Sequence, residues 1–147
     1  MTDRGLLSYY RYKAPLGTFP FNKEGTYAFK FSGLPNETMV LQLYVPGYSS
    51  KNRQDIEALR TAIGVDITDG SGVVICTAKG FPAGSDVDRW TLYSSPFDAA
   101  FWHEACRDRP FKRRSTYTIR VTVHDPDPRT PTVNLTAVLE GGGIELP

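Results

Sequence analysis

The alternation of apolar and polar positions divides the chain into short runs. In "TYAFKFS" (residues 26–32), Tyr27, Phe29 and Phe31 point to one side and Ala28 and Lys30 to the other. That two-residue period marks a half-buried strand. "TMVLQLYV" (38–45) is a second strand, and the two read as an antiparallel pair joined around "SGLPNE". "VDITDGSGVVICTA" is a hairpin whose "DGSG" supplies the glycines a tight turn needs. "WTLYS" reads as a further short strand. "STYTIRVTVHD" is the longest, with Tyr117, Ile119, Val121 and Val123 inward and Thr118, Arg120 and Thr122 outward; "TVNLTAVLE" is expected to return beside it.

Two stretches carry the helical period instead. Ile56, Leu59 and Ala62/Ile63 predict a short helix from about Arg53 to Thr61, with a loop of one helical turn as the competing reading. "SPFDAAFWHEACRDRP" predicts a stronger one: Ser95 as cap, Pro96 in the first turn, Phe97, Phe101 and Ala105 as the buried stripe, and Pro110 as the stop.

Short strands with turn signals and no βαβ rhythm specify an all-β fold. The expectation is an antiparallel β-sandwich, Ig-like or jelly-roll-like, of seven or eight strands with one or two short helices in the connections. The 147 residues form one domain, 1–147, with 1–24 as a more loosely attached N-terminal segment. Hydrophobic residues at 40% and charged residues at 22% allow a core to be buried without metal. The net charge of +1 produces no long-range field to gather nucleic acid. No stretch is long and apolar enough to span a membrane. The first residues lack a signal segment, so the chain is cytoplasmic as written, or extracytoplasmic if a signal has been removed.

Candidate chemistry is sparse. Asp125 and Asp127 in "HDPDP" supply too few oxygens for calcium unless Asp66, Asp69, Asp86 or Asp88 join them, and a stiff strand corner accounts for the prolines. "HEACR" has Arg107 where the zinc-protease helix needs its second histidine. A zinc set of His103, Cys106, Cys76 and His124 matches no common spacing, and a Cys106–His103 nucleophile pair has no evident orienting group. No phosphate loop, dinucleotide fingerprint or nucleophile elbow is present. The reading is a non-enzyme with no metal, no cofactor and no catalytic residue. Cys76 and Cys106 are either two buried thiols or one disulfide of an oxidising compartment.

Two stretches suit a partner-binding surface: Tyr9, Tyr10, Arg11 and Tyr12 near the start, and Arg107, Arg109, Lys112, Arg113 and Arg114 around Phe111. Tyrosine and arginine are favoured at binding hot spots. The expected partner is a protein with an acidic patch. A solvated connection is the plain alternative for the basic stretch, and an N-terminal edge strand covering the core for the tyrosine cluster. Asn36 and Asn134 each begin an N-x-[ST] triplet.

The stretches "TYAFKF", "VDITDGSGVV", "STYTIRVTV" and "LTAVLEGGG", in that order over residues 25–143, resemble Ig-like β-sandwich domains of bacterial envelope proteins and lipoproteins of unknown function. The resemblance implies an extracytoplasmic sandwich and carries over no functional residue. The leading expectation is therefore a non-catalytic interaction domain, a bacterial, periplasmic protein that binds or neutralises another protein as immunity proteins do. A second reading is a carbohydrate-binding module using Trp90, Trp102 and Tyr9–Tyr12. A third is a hydrolase whose acids, among Asp66, Asp86, Asp88, Glu104 and Asp125, meet only in the fold.

Overall fold

A computed structural model describes residues 2–3, 10–82 and 89–143, with the backbone alone described at 2–3, 10–11 and 142–143. Two antiparallel sheets pack face to face. The larger is built from β1 (Thr2–Asp3), β2 (Tyr10–Pro20), β4 (Thr38–Tyr44), β7 (Thr91–Ser94), β8 (Ala99–Trp102), β9 (Arg109–Pro110) and β11 (Asn134–Gly143). Its order is β1-β2-β11-β4-β8-β7, with β9 pairing β4 beyond the end of β8. The smaller contains β3 (Gly25–Ser32), β5 (Ala62–Asp69), β6 (Val74–Gly80) and β10 (Thr116–His124) in the order β3-β10-β5-β6. The fold is the expected all-β sandwich, with more strands than the seven or eight read from the sequence.

The core is what the alternation specified. Tyr117, Ile119, Val121 and Val123 of β10 are all buried, and they face Leu41 and Leu43 of β4 and Leu135, Ala137 and Leu139 of β11. Burying a side chain of this kind contributes about 1.5–3 kcal/mol. Pro15 lies inside β2, where a missing N–H would break a ladder; it sits where the register with β11 shifts, at a bulge between Ala137 and Val138. Gly17 allows the sheets to approach, since a Cβ there would lie 2.6 Å from the Phe29 ring.

Two expected pairings are corrected. β3 and β4 lie in different sheets, as do β10 and β11. Both connections contain prolines, "GLPNE" and "DPDPRTP", and these stiff segments carry the chain across the sandwich. The glycine-turned hairpin β5–β6 does pair as read. Its turn is organised by Asp69, whose Oδ1 accepts from the backbone N–H of Ser71 and Val73, with Gly72 at φ +86°.

The predicted helix at 95–109 is also corrected. Ser95 accepts from the N–H of Phe97 and Asp98, so the capping chemistry closes a tight turn instead. The chain continues as β8 and then makes a single 3₁₀ turn at Glu104–Cys106. Phe97, placed in the buried stripe, is 87% exposed at the tip of that turn. The short helix α1 spans Arg53–Glu57, with Ile56 buried and Leu59 just beyond it.

Candidate functional site

The basic stretch forms the best-organised charged feature among the described side chains. The chain enters it through buried Phe111, whose N–H donates to the Glu37 carbonyl. It leaves through buried Tyr117, whose ring meets Phe111 edge-on at 5.0 Å. Between these anchors the backbone is pinned. The Tyr117 hydroxyl accepts from Lys112 N at 2.8 Å, Asn36 Oδ1 accepts from Arg113 N at 2.9 Å, and Lys112 O accepts from Ser115 N at 3.2 Å. Lys112, Arg113 and Arg114 are all exposed, and none lies within ion-pair distance of a described carboxylate.

Arg107 and Arg109, grouped with them in the sequence, have other tasks. Arg107 pairs with Glu104 at 3.8 Å and Asp108 at 3.5 Å, and its guanidinium lies 5.5 Å from the Trp102 ring centre. Arg109 donates from Nε to the Ala105 carbonyl. The five cations therefore divide into two that hold the connection and three that face outward.

The register places other loops beside this turn. Thr116 pairs Ser32, and Tyr117 pairs Asp69, so the 33–37 loop and the 69–73 hairpin lie at the same end of the sandwich. That hairpin carries Val73 and Val74, which are 57% and 58% exposed. An exposed apolar pair thus lies at the same end of the sandwich as the cationic turn.

The N-terminal cluster is less informative. Tyr9 lies outside the described residues, as do the side chains of Tyr10 and Arg11. Tyr12 is half-buried against the core.

Cys76 and Cys106 are bonded, with Cα atoms 5.3 Å apart. The bridge ties β6 of the small sheet to the 3₁₀ turn that follows β8 of the large one. It also removes both thiols from any metal or nucleophile role. His103 is buried and fully used: Nδ1 accepts from Ala105 N, so Nε2 carries the proton and donates to the Lys79 carbonyl. Neither the zinc set nor the Cys106–His103 pair exists in the fold.

The Asp-Pro-Asp-Pro segment is a corner. Asp127 accepts from Arg60 N, Arg129 N and the Arg129 guanidinium, and donates its own N–H to Thr61 Oγ1. The hydrogen bonds from Arg129 hold its carboxyl well below the usual carboxylate range. Asp125 turns outward at φ +46° with its carboxylate 3.2 Å from His124 Nε2, while Glu24 faces Nδ1 at 3.4 Å. These three exposed side chains bring one potential ligand atom each within 4.8 Å of one another, the one group among the described residues whose geometry could hold a metal ion.

Among the described residues the remaining acids do not converge. Asp66 accepts from Thr77 Oγ1, Glu104 pairs with Arg107 and Asp125 with His124, while Asp86 and Asp88 lie outside the described residues. The two tryptophans considered for sugar stacking form no open platform. Trp90 is fully buried and donates to the Ile63 carbonyl, and Trp102 carries the Arg107 guanidinium. Among the described residues no helix is long and apolar enough to cross a membrane. Comparison with protein families, with characterised proteins and with solved structures finds no match to this chain.

Proposed function

We propose that this protein is a non-catalytic, extracytoplasmic interaction domain that docks an acidic surface of another protein. The observation that carries the reading is the turn Lys112–Arg114. It presents three adjacent cations on a backbone fixed by three hydrogen bonds and two buried aromatic anchors. Fixing the backbone in advance reduces the entropy lost on binding. Cations without an acid partner among the described residues, on an otherwise nearly neutral chain, steer an oppositely charged partner without general adhesiveness. Val73 and Val74 supply the apolar part of such an interface, with the cations at its rim.

The Cys76–Cys106 bridge supports the location, because structural disulfides persist in oxidising compartments. The bacterial periplasm is the compartment proposed, and occlusion of a partner's acidic surface, as immunity proteins act, is the mode proposed. The test is comparative capture from the native organism. The wild-type domain should retain an acidic protein that a Lys112→Glu, Arg113→Glu, Arg114→Glu variant releases at low salt. Identical retention by both would remove the turn from the interface.

A further inference from the structure

A β-sandwich has open sheet edges, and natural proteins guard them against unwanted pairing. Three edges of this molecule are visibly short or guarded. At β7, Arg53 donates to the Leu92 carbonyl and Ser94 Oγ, and Ser50 N donates to the Ser95 carbonyl. At β6, His103 donates to the Lys79 carbonyl, and the disulfide holds Cys106 beside Cys76 at about the spacing of a neighbouring strand. β1 is only two residues long.

Among the described residues the fourth edge, β3, has none of these devices. Gly25–Ser32 is eight residues long, contains no proline, and pairs β10 in unbroken register from Ser32–Thr116 to Gly25–Val123. Among the described residues, no hydrogen bond from beyond that ladder reaches its backbone. The strand's core-facing residues show the same openness. Tyr27, Phe29 and Phe31 remain half-buried, whereas every inward residue of β10 beside them is buried.

The sequence of this edge is self-complementary. In an antiparallel pairing about a two-fold axis at Ala28, directly opposed residues share a face. Ala28 then meets Ala28 of the partner subunit, the smallest possible contact at the axis. Tyr27 meets Phe29 of the partner subunit on the core side, an aromatic cross-strand pair of the stabilising kind. Lys30 meets Thr26 of the partner subunit, so no like charges are opposed. From the unguarded backbone, the half-buried aromatics and this match, we infer that β3 is the self-association edge of the protein. Two copies join through β3 into one sheet continuous across the dimer, with Ala28 at its axis.

Ala28 is exposed on the outer face, so substitution there leaves the core untouched. Its neighbour on β10 is Arg120, which favours Glu over Lys at the site, and thermal denaturation of each variant checks the fold. Sedimentation of the full chain over a wide concentration range should show a reversible dimer. Ala28→Glu and Ala28→Lys, each placing like charges at the axis, should raise the dimer dissociation constant at least about tenfold. An equimolar mixture of the two should restore association. Ala28→Cys should yield a reducible covalent dimer, because opposed Cα atoms in a ladder lie within disulfide reach. A wild-type protein that stays monomeric at every concentration overturns the inference and leaves the cationic turn's role intact. A dimer unaffected by both charge variants, or an Ala28→Cys protein that oxidises without cross-linking, overturns it as well.

Discussion

Asp127 shows how much structure one side chain can hold. Its carboxylate ties the corner after β10 to Arg60 and Arg129, and the Arg129 guanidinium also reaches the Ala58 carbonyl. These bonds favour the ionised form, so the folded carboxyl titrates below its unfolded value of 3.8. The stabilisation is therefore complete above the unfolded value and is lost as pH falls below it toward the folded one. Asp127→Asn should lower the thermal midpoint at neutral pH and flatten its decline in acid relative to wild type. An acid limb unchanged by the substitution would mean that the corner is held by other contacts. Nearby, Glu24, His124 and Asp125 form an exposed group of three potential ligands, fewer than calcium requires. Exhaustive chelation should therefore leave the thermal midpoint unchanged, and a fall restored by a divalent cation would contradict this.

At the scale of elements, the segment 95–109 gives the clearest lesson. Ser95, Pro96 and the spacing of Phe97, Phe101 and Ala105 satisfy the local rules for a helix, yet the chain forms a tight turn and β8. Cap chemistry is shared between helix starts and turns, and a stripe of three residues leaves the period ambiguous. What decides is tertiary: Ala99, Ala100 and Phe101 are buried in a strand paired on both sides, by β4 and by β7. The two phenylalanines separate the alternatives. Phe101→Ala should cost about 3–5 kcal/mol of stability as a core truncation. Phe97→Ser should change it by less than about 0.5 kcal/mol, where a helical stripe would make both substitutions costly. Strands with clean alternation, such as β3, β5 and β10, were legible for the opposite reason: a two-residue period has no helical counterpart. β2 was legible only at its start, where the tyrosine cluster read as an edge strand; Pro15 and Pro20 hid the rest. The partition of strands between sheets was hidden because pairing depends on contacts distant in sequence. Of the candidate site, the cations could be read as a cluster. That Lys112, Arg113 and Arg114 have no ion-pair partner among the described residues, while Arg107 and Arg109 are engaged, depended on where Glu104, Asp108 and Ala105 fall in space.

At the scale of the molecule, two sheets and one covalent tie define a single stapled sandwich. The bridge joins residues 30 apart in sequence, and closing a loop of that size stabilises the fold by about 3–4 kcal/mol through the unfolded chain. Cys76→Ala with Cys106→Ala should lower the unfolding free energy by about that amount, less what the core regains by repacking. Equal stability with and without the bridge would weaken the placement in an oxidising compartment.

We propose that this sandwich works by presenting the Lys112–Arg114 turn to an acidic partner. Cations at an interface rim act chiefly on the encounter rate, and salt screens that effect. The most direct measurement is the association rate constant of the captured partner with wild type and with Arg113→Glu, Arg114→Glu across a series of ionic strengths. Wild type should associate faster at low salt, by about tenfold, and the two should converge as salt rises, with equal thermal midpoints throughout. Equal association rates at low salt would contradict the account and reduce the turn to a solvated link between β9 and β10.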